Sequence, residues 1–415
     1  MEATPLPSAT GAANPPAPPS QRAAPGDRLD RRLVGLLAAA VGISVANLYY
    51  VQPLLPLLRR NFHVPAGEAA LATTLTQLGY VLGLAFVLPL GDLLERRRLV
   101  TALAIACSGA LLLAAFAPTL TVLLAAVVLV GISAVVCQIL VPYAATLAPS
   151  HERGRVVGLV MSGLLLGILL ARTVAGAIAD ATGWRVVLIV AAGLMWLVAL
   201  VLRFRLPRER PQLRASYAAL LASTVRLIRT EPVLRRRSGY GALGMAAFSV
   251  LWTSIAFLLA GAPYHYDPIR IGLFGLVGAA GALMANAAGR FADRGRAREL
   301  SVFVTACIAV AFVLIWIGGR DLGALIVGIV LLDVGCQGLQ ITNQSEIFRL
   351  HAAARTRINA VYMTSYFIGG VAGSACSALL YATAGWSGVC VLGLGIGLAA
   401  FVAALIGARR VRPAG

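Results

Sequence analysis

The chain contains no lysine, so all 35 of its basic residues are arginine. A phosphate-binding loop of the Gly-Lys-Ser/Thr kind needs a lysine to reach the nucleotide phosphates, and that class of ATPase site is therefore excluded. Charge of either sign is scarce. Only 12% of residues are charged, and just 16 are acidic, whereas a soluble domain carries about 25% charged residues. The six cysteines (Cys107, Cys137, Cys307, Cys336, Cys376 and Cys390) all fall within apolar runs, with no metal-ligand spacing and no loop position suited to a disulfide. His63, His151, His265 and His351 are scattered near the loops between apolar runs. No metal and no cofactor is expected. Gly393, Gly395 and Gly397 lie inside an apolar run with no strand before them, and helix packing explains them better than a dinucleotide fingerprint.

The abundant component is apolar. Hydrophobic residues make up 59% of the chain, with 43 glycines, and the mean hydropathy is +0.85. Lipid is the expected solvent, and the glycines suit membrane helices packed through small residues. Residues 1–30 are Pro- and Ala-rich without periodicity and read as a disordered tail. Apolar runs then alternate with short polar breaks, each long enough for the roughly 20 residues that cross a bilayer. The expected spans are 33–58, 69–93, 99–117, 120–147, 156–179 and 186–202, then 241–261, 271–291, 300–317, 322–347, 358–381 and 387–406. The expected fold class is an all-α membrane protein with twelve transmembrane helices in two parallel six-helix repeats around a central cavity. The corresponding regions are a tail (1–30), a six-helix bundle (31–202), a connector (203–240), a second bundle (241–408) and a short tail (409–415). Within the connector, 217–228 has helical apolar spacing with Arg226 and Arg229 alongside. It reads as a helix lying on an anionic membrane surface or as a solvated linker helix.

The net charge of +19 invites a nucleic-acid reading, but the arginines cluster between apolar runs, as at Arg96, Arg97 and Arg98 or Arg235, Arg236 and Arg237. They report topology. One side of the expected membrane holds Arg59, Arg60, Arg185, Arg270 and Arg320, while nearly all the rest share the side of the termini. The positive-inside rule makes both termini cytoplasmic, in a bacterial-type inner membrane. No nucleic acid and no nucleotide is an expected partner.

The halves repeat. At an offset of 202, Gln138-Ile139 matches Gln340-Ile341, Arg153 matches Arg355, Gly167 matches Gly369 and Gly183-Trp184 matches Gly385-Trp386; at 201, Asp92 matches Asp293. Six spans per half is an even number, so the repeats insert in the same sense, an arrangement that puts a substrate site between the halves near the midplane.

These residues resemble the major facilitator superfamily, over nearly all the chain from Leu33 to Arg412. The family's loop after the second span reads Gly-x-x-x-Asp-basic-x-Gly-basic-basic; Asp92, Arg96 and Arg97 match it, although Leu88, Leu93 and Glu95 replace three of its positions. The second copy, with Gly289, Asp293, Arg294 and Arg296, is closer but one residue shorter. The resemblance implies a gating role on the cytoplasmic side for these aspartates and arginines. Span five resembles the antiporter signature Gly-x8-Gly-x3-Gly-Pro-x2-Gly-Gly, with Gly158, Gly167 and Gly176 kept as packing residues and Arg172 in place of the proline. Gly183-Trp184-Arg185 resembles the family's junction before span six. The run from Ala46 through Asn47, Leu48, Tyr49, Tyr50, Val51 and Gln52 to Pro53 is similar to the opening of bacterial drug- and sugar-efflux members. The span-four arginine of many drug antiporters is absent, Val127 standing in its place.

Ionisable groups inside hydrocarbon cost roughly 2.5–3.5 kcal/mol each on insertion scales and need a reason. Asp333 lies near the middle of span ten, and Gln337, Gln340 and Gln344 follow on one face within an arc of about 60°. That face expects a water-filled cavity or a neighbouring helix. Glu346 and Asn343 lie off it, with Glu346 near Arg349. Arg172, in the outer part of span five, is the second buried charge. Burial and a neighbouring arginine act oppositely on a carboxyl group, so a coupled Arg172–Asp333 pair is the candidate proton-coupling element. Asn47 and Tyr50 in span one, Gln138 in span four, Trp252 in span seven, and Asn359, Tyr362 and Tyr366 in span eleven complete the candidate substrate cavity. The expected activity is proton-coupled export of small organic molecules by alternating access, with proton, solute and lipid bilayer as partners. A proton symporter for uptake or a uniporter would share every feature. An enzyme would need a catalytic cluster and a membrane sensor a sizeable soluble domain; neither is in the sequence.

Overall fold

The computed structural model describes residues 30–149, 152–208, 216–278, 297–350 and 355–409. Apart from turns and short loops these residues are helical, with no strand among them. In chain order the helices are α1 (Arg31–Ala46), α2 (Val51–Phe62), α3 (Ala66–Leu82), α4 (Leu90–Leu93), α5 (Arg96–Ala115), α6 (Leu120–Ser133), α7 (Val136–Leu147), α8 (Arg153–Thr182) and α9 (Trp184–Arg205). They continue as α10 (Tyr217–Thr230), α11 (Pro232–Ala260), α12 (Pro268–Gly278), α13 (Ala297–Ile317), α14 (Leu322–Ile347) and α15 (Arg355–Arg409). A π-helical turn, Gly83–Val87, joins α3 to α4.

Several boundaries follow from local chemistry. Asp30, Thr119, Ser216 and Asp321 cap α1, α6, α10 and α14, each side chain accepting from a first-turn amide. Gly183, at φ +96°, turns the chain from α8 into α9. Gly385, its partner at the 202-residue offset, sits at φ +63° and divides the 55-residue α15. A left-handed residue ends a helix, and glycine reaches that region without a Cβ clash.

Among the described residues, ten helices, each counted across internal breaks, are long and apolar enough to cross a membrane. Expected spans eleven and twelve both lie within α15, on either side of Gly385. Expected span eight begins in α12, and its remainder falls in residues 279–296, outside the described set. Large apolar side chains such as Phe116, Phe204, Phe303 and Leu379 stand exposed on the outside of the bundle, where lipid would cover them.

The helices pack in two groups. α1 lies against α8, α3 against α6, and α5 against α6 and α9; in the second group α11 lies against α14 and α15, and α13 against α14 and α15. Backbone contact sets the closest of these approaches. A Cβ added at Gly167 would strike the backbone of Gly42 on α1, and one at Gly369 would strike Ala242 on α11. The groups meet where α3 packs on α15, α2 on α11 and α8 on α12. Thr74 and Ser374 share a hydrogen bond of 2.7 Å across that boundary, and Thr173 donates to the Gly272 carbonyl at 3.1 Å.

Candidate functional site

The site begins at the break between α1 and α2. Pro53 has no N–H to offer the carbonyl of Tyr49, and the Asn47 amide donates to the Ile43 and Ser44 carbonyls at 3.1 Å. The helix therefore loosens at 47–50 before restarting, and Tyr49 and Gln52 are brought into the interior, where both are buried.

Gln52 accepts a 2.7 Å hydrogen bond from Nε of Arg172 on α8. The guanidinium, 4% exposed, lies 3.9 Å from the ring centroid of Trp252 on α11, 4.8 Å from that of Tyr49 and 5.7 Å from that of Phe248. Such a desolvated aromatic box contributes on the order of 2 kcal/mol toward holding the cation. It leaves Nη2 without a hydrogen-bond partner.

Asp333 on α14 is equally buried. It lies close enough to Arg172 for a charge on one to be felt by the other, but no ion pair joins them. The indole of Trp252 adjoins Asp333, yet Trp252 Nε1 and Asp333 Oδ1 each lack a hydrogen-bond partner. α12 forms the floor. A Cβ at Gly275 would lie 3.0 Å from the Cβ of Arg172, and one at Gly278 would collide with Asp333 Oδ2 and stand 3.1 Å from Trp252 Cζ2. An ionisable carboxyl group and a guanidinium from different helix groups thus share one aromatic partition, with unmet donors and an unmet acceptor around it. The cost of burying such groups is several kcal/mol per ion.

The other expected cavity residues divide between several settings. Gln138 donates to the Tyr80 hydroxyl at 3.2 Å, and Gln340 accepts from the Tyr366 hydroxyl at 3.2 Å. Between those tyrosines stands Phe367, edge-on to Tyr80 at 4.6 Å and to Tyr366 at 5.4 Å. Two repeat-related glutamines therefore tether the ends of an aromatic row that crosses between the groups. Gln344 approaches Met363 Sδ at 4.0 Å, and Gln337 is half-buried. Tyr362 packs 6.0 Å from Tyr366 and accepts from Asn343 at 3.5 Å. Asn359 keeps a buried, unpartnered Oδ1. Tyr50 is buried in the apolar core, and Asn47, though its Oδ1 is unpartnered, spends its amide on its own helix.

Three features of the sequence reading change. Gly167 and Gly176 mark close approaches, to Gly42 and to Gly272, but Gly158 meets no described atom; Gly163, against Ala38, takes that packing role. Arg237, read as part of a topological cluster, is 2% exposed. It donates to Ser301 Oγ at 2.9 Å and Asn343 Oδ1 at 3.4 Å, and pairs with Glu346 at 3.3 Å. Glu346 also meets Arg349 at 3.6 Å, as expected. The sequence does not mark Gln52, Tyr49 and Phe248 as partners of Arg172, because their roles depend on the break in span one and on the packing of helices far apart in the chain.

At the arginine-rich end, Arg96 lies 3.8 Å from Asp92, donates to the Gly91 carbonyl and Thr146 Oγ1 at 3.3 Å, and covers the Tyr143 ring at 5.5 Å. Arg97 donates to the Leu206 carbonyl at 3.2 Å. Arg357 of α15 is a second cation near Asp92. Asp293 and Arg294, the second copy of this loop, lie outside the described residues. No group of three or more metal-ligating side chains occurs among the described residues.

A bundle of membrane-length helices with buried charges at the junction of two groups is the architecture of a multi-pass membrane transporter. The chain belongs to the Major Facilitator Superfamily, whose family profile matches residues 37–373. It is 46% identical over 374 residues to the uncharacterized transporter YgaY of Escherichia coli (strain K12), covering 90% of this chain and 95% of that protein. It is 36% identical over 390 residues to the transporter SCO4007 of Streptomyces coelicolor, covering 94% and 90%. Among solved structures it is similar to the nucleoside transporter NupG (TM-score 0.72, 13% identity, 90% and 99% covered). It is also similar to a bacterial homolog of the human lysosomal transporter Spinster in an inward-facing, occupied conformation (TM-score 0.71, 14% identity, 91% and 95% covered). At these identities the solved structures speak to the fold. The family and the named relatives make the chain a transporter of small molecules and not an enzyme.

Proposed function

We propose that this protein is a proton-coupled exporter of small organic molecules, working by alternating access between two six-helix halves in an inner membrane with both termini cytoplasmic. The observation that carries the reading is the Arg172–Trp252–Asp333 arrangement. A carboxyl group and a guanidinium from opposite halves share one aromatic partition, without a direct ion pair and without full hydrogen bonding. A proton on Asp333 removes the negative charge facing Arg172, which changes the attraction holding the halves together there. Arg172 and Asp333 are the coupling residues in this scheme. Asp92, Arg96 and Arg97, with Asp293 and Arg294 in the second half, form the cytoplasmic gate. The twelve-crossing layout rests on the described helices, on Gly385 dividing α15 and on the 202-residue repeat.

The test uses inverted vesicles energised to an acidic interior, a quenching pH dye and a panel of solutes. A solute that discharges the gradient with the wild type but not with Asp333→Asn supports coupled export. Equilibration of labelled solute with no proton movement for any compound would replace it with a uniporter.

A further inference from the structure

The unmet groups around Trp252 also select a substrate class. Arg172 Nη2 and Trp252 Nε1 are buried donors without acceptors, and Asp333 Oδ1 is a buried acceptor without a donor. All three side chains are more than nine-tenths buried. No ion pair joins Arg172 to the carboxylate, the indole lies against the guanidinium at 3.9 Å, and Gly275 and Gly278 on α12 bring no side chain of their own between them. A ligand that satisfies both ends must bring an acceptor to Arg172 and a donor to Asp333 on one small framework. The aromatic walls of Tyr49, Phe248 and Trp252 suit an apolar remainder.

We infer that the substrate is a zwitterion of the amino-acid type, its carboxylate on Arg172, its ammonium on Asp333 and its apolar side chain against the aromatic wall. This rests on the coupled-export reading and supplies its chemistry. The ammonium and a proton compete for Asp333, which is the condition for exchange. With the zwitterion bound the site is neutral, and with the proton bound it carries one positive charge. Exchanging one zwitterion outward for one proton inward thus moves one positive charge inward, the direction an inside-negative potential favours. Among the described residues, the other titratable groups facing Asp333 are Tyr49 from the α1–α2 break, Cys336 on its own helix and Tyr366 on α15, with Arg172 as the cation.

The experiment measures binding to the purified protein of two matched sets: L-phenylalanine, phenethylamine and 3-phenylpropionate, and L-leucine, isopentylamine and 4-methylpentanoate. In at least one set the zwitterion should bind about tenfold or more tighter than either singly charged analogue, since each charge-assisted hydrogen bond is worth a factor of that order. Arg172→Gln should erase the preference over the amine, and Asp333→Asn the preference over the acid. On the wild type alone, acidification should weaken zwitterion binding and leave the acid unweakened, which keeps the test alive if a variant fails to fold. Equal binding of a singly charged analogue, or no binding by either set, overturns the inference. The vesicle assay separates the two claims. A bound zwitterion that discharges no gradient sinks proton coupling and leaves the site. An amine or acid that discharges it through Asp333 sinks the zwitterion and leaves coupling.

Discussion

Arg172 lays its guanidinium 3.9 Å from the ring centroid of Trp252, a contact made between α8 of one helix group and α11 of the other. The flat, delocalised guanidinium suits a ring face in a way that a compact ammonium does not. Arg172→Lys should therefore behave nearly as badly as Arg172→Gln, both lowering substrate affinity by about tenfold or more, consistent with about 2 kcal/mol for a desolvated cation–π contact. Binding isotherms on the three proteins check this. Full affinity in the lysine variant would show that charge alone matters.

Gly278 leaves room for Asp333 and Trp252. Gly278→Ala would put a methyl group onto the carboxylate and should abolish gradient discharge. Gly193→Ala, at an exposed helical position with no described neighbour within 4 Å, should leave transport unchanged and raise stability by up to about 1 kcal/mol through helix propensity. Vesicle transport and thermal unfolding of both variants decide the matter.

In the proposed alternating-access cycle the halves part where Thr74 and Ser374 now touch. Their hydroxyl oxygens, 2.7 Å apart, are close enough for a Thr74→Cys/Ser374→Cys pair to bridge, given a sulfur–sulfur bond of about 2.05 Å. Oxidation should stop transport and reductant should restore it. Undiminished transport by the cross-linked protein would show that this contact does not open during the cycle.

Arg237 ties α11 to α13 and α14 through Ser301, Asn343 and Glu346. Replacing it by methionine removes three interactions at once and should cost about 2–3 kcal/mol, less than a fully buried pair because Glu346 is partly exposed. Glu346→Gln should cost less than half of that. Unfolding temperatures in one detergent, with the double variant closing the cycle, test the ordering.

Gln138→Leu and Gln340→Leu release the tyrosines at the two ends of the row through Phe367. Each should cost about 1 kcal/mol, the net worth of a buried neutral hydrogen bond, and the two should be non-additive because Phe367 couples them. Additive unfolding temperatures would show that the row does not act as a unit.

The sequence alone determined the membrane setting, the number and rough limits of most apolar runs, the buried Arg172 and Asp333, and the paired Gly183 and Gly385 turns. These are properties of short stretches: about 20 apolar residues, one charge among them, one glycine before a tryptophan. The tertiary structure decided what each polar group touches. Asp333 and Gln340 share a helix face in sequence, but one adjoins Trp252 and the other holds Tyr366, because α11 and α15 approach that face at different heights. In sequence Arg237 is one more arginine of a cytoplasmic cluster, and only the packing of α13 and α14 around it makes it a buried anchor; likewise spacing alone does not distinguish Gly158 from Gly163, which is the glycine that meets α1. Helical periodicity fixes the direction of a side chain about its own axis. Its partner depends on how other helices cross that axis, and those crossings are set by packing among residues far apart in the chain.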